Sequence, residues 1–294
     1  MVDLELYIVD VFAEKKYAGN QLAVVRNAFT LTSEQMQQIA NEMHYSETTF
    51  ILSDQTINGG YNVRIFTPLN EVPFAGHPTL GTAYILENYV EKTETKKVVL
   101  NLGVGQIPVT FEVDSNGQEV LWMNQKAPIF GKIFSTIEMV NILQLKEEEF
   151  DTRYPIQEVS TGMPFIVIPL KTLEAVENAK TNIENLQKIA KDVRGGLLIF
   201  CPHTYHKEND LNVRVFVDLY GIPEDPATGS GNGCLAAYLS QYRYFGSDKV
   251  NVRVEQGFAV RRPSILLLQA QISNDEIDVR VGGKVVPVAV GKLL

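Results

Sequence analysis

Across 294 residues there are only two cysteines, one tryptophan and four histidines. Cys201 and Cys234 cannot cage a metal or staple a small fold, so neither a zinc module nor a disulfide scaffold is expected. Positive charge is also short: 26 Lys and Arg stand against 35 Asp and Glu, a net of −9. Such a surface repels nucleic acid and anionic lipid, and no basic run offsets it. No nucleic-acid partner and no membrane partner are expected. Long apolar runs are missing too. Gly196–Cys201 is strand-length, far below the roughly 18 residues that a membrane span requires. The start, MVDLELYIVDVF, lacks the basic opening of an export signal, so the expected location is cytoplasmic. What remains is ordinary globular composition, 45% hydrophobic and 21% charged. The length suits two domains of roughly 150 residues.

The chain repeats itself. Asn62-Val-Arg-Ile-Phe66 is echoed by Asn212-Val-Arg-Val-Phe216, and both alternate at the period of a half-buried strand. Each leads through a Pro-containing connection and a glycine-rich turn into an apolar, helix-like stretch, Pro73–Leu86 and Pro226–Leu239. From Asn62 to Gly76 is 14 residues and from Asn212 to Gly229 is 17, so the connections differ in length. A fainter echo pairs Ser46–Leu52 with Ser160–Val167, small polar residues leading into an apolar strand. Ordered matches near 150 residues apart fit a duplicated domain better than a solenoid.

The rest reads as α+β with more strand than helix. Met36, Ile39, Ala40 and Met43 mark an amphipathic helix capped by Thr32 or Ser33. Leu173, Val176, Ile183, Leu186, Ile189 and Val193 recur at helical spacing up to Arg194-Gly195-Gly196. Residues 107–113, 250–254, 265–272 and 285–290 read as strands, and the crossing between halves lies near residues 120–135.

The two glycine turns are the candidate site. A buried helix with a glycine-rich first turn offers backbone N–H groups and the positive end of its dipole. A carboxylate can be held there without lysine or metal, at Gly76 and Gly229. If the copies face each other, two such ends converge on one interdomain cleft. Proton-transfer groups sit on the turns: His77, Asp225 and Ser230, with Glu47 at the mouth of a strand. Desolvation at such a mouth raises a carboxylate's pKa toward that of a general acid or base. Plainer readings stand beside this one. Glu47 can be a solvated strand end, His77 or Ser230 a helix cap, and Asp225 a turn residue whose role Glu224 could take. Gly229-Ser-Gly-Asn-Gly233 lacks the Gly-Lys-Ser/Thr ending of a phosphate loop. His203, His206, Glu208 and Asp210 fall in a polar loop, Cys234 reads as packing, and no nucleophile elbow is present. No metal and no cofactor are called for.

Six segments resemble the PhzF-type isomerases of the phenazine-biosynthesis family. They are Asp10-Val-Phe12 with Ala18-Gly-Asn20, Ser46–Phe50, Ala75-Gly-His-Pro-Thr79, Glu224–Ser230 and Glu255-Gln-Gly257, and the likeness runs from about residue 6 to about 265. The resemblance, shared more widely with diaminopimelate epimerases, implies two pseudo-symmetric domains, each a β-barrel-like sheet around a central helix. The implied boundaries are residues 1–125, completed by about 283–294, and 126–282. It implies Glu47 as the acid/base, with His77, Asp225 and Ser230 orienting and polarising the substrate. Asn20, Ser46, Gly76 and Gly229 become substrate contacts, and a homodimer is the implied assembly. The epimerases place a cysteine before each turn glycine. Ala75 and Thr228 stand there instead, which removes the thiol pair and leaves the proton to a carboxylate.

The leading expectation is a cofactor-independent isomerase that shifts a proton on a small carboxylate-bearing metabolite. A thiol-independent amino-acid racemase or epimerase, with Glu47 working against Asp225, is the second. A non-catalytic ligand-binding or interaction protein is the third. Inversion at a Cα, migration of a double bond, or neither, separates the three.

Overall fold

Alternating residues in Leu-Glu-Leu-Tyr-Ile-Val-Asp-Val form β1 (Leu4–Val11), which turns back antiparallel onto β2 (Asn20–Arg26). The computed structural model describes residues 3–91, 95–189, 195–274 and 276–294. It divides into two compact units, Met1–Met123 with Gly282–Leu294, and Asn124–Val281.

In the first unit the C-terminal strand Val285–Leu293 lies antiparallel on the other edge of β1. Helix α1 (Ser33–Met43) crosses over to β3 (Glu47–Ile51), which runs parallel to β2. Thr32 is its cap: the hydroxyl accepts from Gln35 N–H, and the Gln35 side chain accepts from Thr32 N–H. β4 (Tyr61–Phe66) is antiparallel to β3, and β5 (Glu71–Val72) folds back on β4. Helix α2 (Gly76–Ile85) then crosses to β6 (Lys97–Leu102), parallel to β4. β7 (Gly105–Val113) and β8 (Glu119–Asn124) extend the sheet antiparallel. With Tyr84 the one exception, every residue of α2 is buried, and β1, β2, β3, β6 and β7 all pack against it. Gly81 permits that approach. A Cβ there would stand 2.5 Å from Leu22 Cδ2 and 2.9 Å from Val11 Cγ2.

The second unit repeats the plan. β9 (Ile129–Phe134) and α3 (Thr136–Leu143) precede β10 (Ile156–Ser160) and β11 (Pro164–Pro169). Helices α4 (Leu173–Asn178) and α5 (Ile183–Lys188) lead to β12 (Gly196–Cys201). β13 (Leu211–Val217) and β14 (Ile222–Asp225) precede α6 (Gly229–Gln241), followed by β15 (Val250–Gln256) and β16 (Ser264–Ser273). The pairings match the first unit step for step. β9–β10 and β10–β11 are antiparallel, β11–β12 parallel, β12–β13 and β13–β14 antiparallel, β13–β15 parallel and β15–β16 antiparallel. α6 is the second central helix, packed on β10, β11, β12, β15 and β16. This is the α+β architecture of two like domains that the repeat implied.

Register fixes the counterparts. Ile65 faces Val72 as Val215 faces Asp225, and Asn62 faces Asn101 as Asn212 faces Glu255. Counting on, Leu102 corresponds to Gln256, Ala75 to Thr228 and His77 to Ser230. The sequence echo also keeps its chemistry. Arg64 lies 5.0 Å over the Phe66 ring and forks onto Glu71 of β5 at 2.7 and 2.6 Å. Arg214 lies 4.7 Å over Phe216 and forks onto Glu224 of β14 at 3.1 and 2.8 Å.

Two expectations change. The fainter echo is out of step: Glu47 faces Leu22 across the parallel pair β2–β3, and Gly196 faces Phe165 across β11–β12. The counterpart of Ser46–Leu52 is therefore residues 195–201, while Ser160–Val167 matches the turn into β2. The helix read over 173–193 is broken in two. Lys180 and Asn182 donate their N–H groups to the Leu143 and Ile142 carbonyls, and the Asn182 side chain caps α5. Val193 and Arg194 lie outside the described residues. The connections do differ in length as expected, and the longer second one takes up its extra residues in a 3-10 turn, Asp218–Tyr220.

Candidate active site

Glu47 opens β3, so it shares a face with Thr49, two residues on. That face meets α2, where Thr82 donates its hydroxyl hydrogen to Thr49 Oγ1 at 2.8 Å in the core. Going back from Thr49 to Glu47 covers about 7 Å of strand, and from Thr82 to His77 about 7.5 Å of helix. The two polar side chains are thereby brought level. His77 Nε2 lies 3.5 Å from Glu47 Oε2, with side chains 6% and 18% exposed.

His77 is neutral in this setting. Burial drives its pKa down to about 3, and a hydrogen bond to the Gln21 backbone pulls weakly the other way. With Nε2 toward Glu47, Nδ1–H is the group that donates to the Gln21 carbonyl. An unfolded chain protonates this ring near pH 6.5, whereas the folded one resists until about pH 3. The unfolded state therefore binds more protons between those values, and stability falls as pH drops through that window. The slope is at most about 1.4 kcal/mol per pH unit. Nitrogen NMR of the ring should show one neutral tautomer from pH 5 to 8. Urea melts of His77→Asn should show a shallower acid slope; a ring titrating near pH 6.5 in the folded protein would contradict both.

The remaining first-unit candidates each sit at or beside the start of an element. Asn20 opens β2 and is buried, Ser46 precedes β3 and is partly exposed, and Gly76 opens α2. No side chain caps α2 or α6 at its cap residue, Ala75 or Thr228.

In the second unit Asp225 ends β14 and Gly229 opens α6, with Ser230 partly exposed in its first turn. Asp225 Oδ2 accepts from the Thr228 hydroxyl at 2.6 Å. Glu224 is no substitute for Asp225, being committed to Arg214 with 8% of its side chain exposed. No local pattern in the sequence marks Thr228 or Gln256. Both belong to segments already singled out. Gln256 is fully buried; its Nε2 donates to the Asp225 carbonyl at 2.8 Å and Thr228 Oγ1 at 3.0 Å. Its Oε1 accepts from Thr228 N–H and Asn232 Nδ2. Glu255 takes N–H donors from Tyr205 and His206 and amide donors from Asn209 and Asn212, pinning the polar loop before β13. Cys234 packs in the core, its thiol pushed up to about 11 by burial. Among the described residues, no helix is long and apolar enough to cross a membrane.

Residues 9–291 match the model of the phenazine biosynthesis-like protein family. The chain belongs to the PhzF-type isomerase family. PhzF-type relatives align with it end to end. An uncharacterized isomerase of Clostridium acetobutylicum is 30% identical over 98% of this chain and 97% of its own. The trans-2,3-dihydro-3-hydroxyanthranilate isomerase of Pseudomonas aeruginosa is 30% identical over 97% of both. A crystal structure of a phenazine biosynthesis protein of the PhzF family from Bacillus anthracis superposes with a TM-score of 0.91 at 28% identity, covering all of both chains. PhzF-type membership makes this chain an isomerase, built on the diaminopimelate epimerase-like fold that its duplicated sheets display.

Proposed function

We propose that this isomerase moves a proton on a small carboxylate-bearing metabolite, without a cofactor, using Glu47 as the acid/base. The observation that carries the reading is Glu47 Oε2 at 3.5 Å from a buried, neutral His77. A neutral imidazole sets no positive charge beside Glu47, so the carboxyl group can pass between its protonated and ionised forms as a proton moves to or from a substrate carbon. In this reading His77, Asp225 and Ser230 orient and polarise the substrate. Asn20, Ser46 and the first-turn amides at Gly76 and Gly229 hold its polar groups.

The first compound to test is trans-2,3-dihydro-3-hydroxyanthranilate, the substrate in the name of the Pseudomonas relative. Incubation in deuterated water, with proton NMR of the product, is expected to show a shifted double bond and deuterium at the protonated carbon. Inversion of an amino-acid panel on a chiral column, with no double-bond shift, would instead support a racemase. The register speaks against that outcome. The counterpart of Glu47 is Gly196 and the counterpart of Asp225 is Val72, so the two carboxylates do not form a symmetric pair of bases.

A further inference from the structure

We infer that Thr228 is a positioning residue for Asp225, its hydroxyl oriented by the buried amide of Gln256. The inference rests on the reading of Asp225 as part of the catalytic set. Gln256 uses both ends of its amide: Oε1 accepts from Thr228 N–H at 3.2 Å and Asn232 Nδ2 at 2.8 Å. Nε2 therefore has to point the other way, toward the Asp225 carbonyl at 2.8 Å and Thr228 Oγ1 at 3.0 Å. A hydroxyl that receives a hydrogen from Nε2 gives its own to another acceptor, and Asp225 Oδ2 is 2.6 Å away. The chain Gln256 Nε2–H to Thr228 Oγ1–H to Asp225 Oδ2 has one direction. Its last step has the length of a charge-assisted hydrogen bond to a carboxylate.

The fold does not require this arrangement. The counterparts of Asp225, Thr228 and Gln256 in the first unit are Val72, Ala75 and Leu102, and there the same turn closes with no polar side chain among the three. One back-bond is common to both turns: Thr79 Oγ1 donates to the Ala75 carbonyl as Asn232 Nδ2 donates to that of Thr228. Beyond it, the second unit carries a polar triad, with Thr228 and Gln256 buried and Asp225 partly exposed, where the first has an apolar one. Buried polar groups stabilise little in net and cost much if any member goes unsatisfied. Their coordinated presence on one side only is explained by what they do to Asp225. A hydroxyl is the smallest group that both accepts from Gln256 and donates to Asp225. Serine keeps both functions, whereas valine keeps the shape and neither function.

A double-mutant cycle on the full chain tests this with Thr228→Val, Asp225→Ala, the pair together, and Thr228→Ser. In urea unfolding, Thr228 and Asp225 should show a coupling of at least fivefold in the unfolding equilibrium constant. A coupling under twofold would overturn the inference. In turnover of trans-2,3-dihydro-3-hydroxyanthranilate, Thr228→Val should lower kcat at least tenfold with KM within threefold, and Thr228→Ser should stay within threefold of wild type in both. Thr228→Val should add nothing in the Asp225→Ala background. If Asp225→Ala abolishes turnover while Thr228→Val leaves it intact, Thr228 has no positioning role. If Asp225→Ala itself turns over like wild type, the assignment of Asp225 fails first and the inference with it.

Discussion

Glu47→Gln is expected to lower isomerisation by roughly 10³-fold, inside the ~10²–10⁴ range for losing a general acid/base. The amide keeps the size and polarity of the side chain but can neither take a carbon-bound proton nor return one. No neighbour replaces it. His77, with its pKa driven down to about 3, is too weak a base near neutrality. The position matching Glu47 in the second unit is Gly196, which has no side chain. Stability should hardly move, because Glu47 is at the strand's first position and not in its interior. The check is deuterium incorporation beside a thermal melt. Label falling to the uncatalysed level with Tm within about 2 °C supports the assignment, and label at a tenth of the wild-type rate or more would put the base elsewhere.

A large stability effect is expected at Gly257→Ala. Gly257 has φ +79°, and a Cβ there would stand 2.3 Å from the Arg262 carbonyl oxygen and 2.4 Å from that of Pro226. The left-handed backbone costs an alanine about 1–2 kcal/mol, and forcing two backbone carbonyls aside adds about 1–3 kcal/mol. A loss of roughly 3 kcal/mol is expected, seen as a Tm lower by about 6–12 °C for a unit of this size. Pro226 follows Asp225 directly, so the same push should cost activity even in the folded fraction. Gly103→Ala is the internal control. Its counterpart Cβ would meet Pro73 Cα and Cβ at 2.9 Å without a left-handed backbone, so calorimetry should record a smaller loss. Equal losses would show that backbone conformation is not the cause.

Much of the fold was legible because its strongest signals are local. The Asn-Val-Arg-x-Phe repeat has a period of two, and each arginine finds its glutamate on the next strand of the same hairpin. The apolar stretches after Gly76 and Gly229 announce buried helices. Glu47 and His77, thirty residues apart, were both named, but their meeting depends on β3 lying against α2, which no local pattern states. Ladder partners are set over long sequence distances, which is why the fainter echo slipped. A small polar lead into an apolar strand occurs at both β3 and β11, and only the parallel pairings tell them apart. The helix over 173–193 kept its spacing on paper because Ile183 and Leu186 continue the rhythm. Its break comes from α3, whose terminal carbonyls claim the N–H groups of Lys180 and Asn182. Thr228 and Gln256 were invisible for another reason: a single hydroxyl and a single amide gain meaning only from which atoms they point at.

The matched positions Glu47 and Gly196 are not interchangeable. A Cβ at Gly196 would sit 2.6 Å from the Phe216 carbonyl oxygen and 2.9 Å from Val217 Cγ1, so the space a side chain takes at Glu47 is closed at Gly196 by a backbone carbonyl and a neighbouring side chain. Any side chain introduced at 196 would first have to displace the Phe216 carbonyl, so a carboxylate cannot be placed there by that substitution alone. The asymmetry between the halves at this position is held by steric exclusion and not by side-chain preference alone.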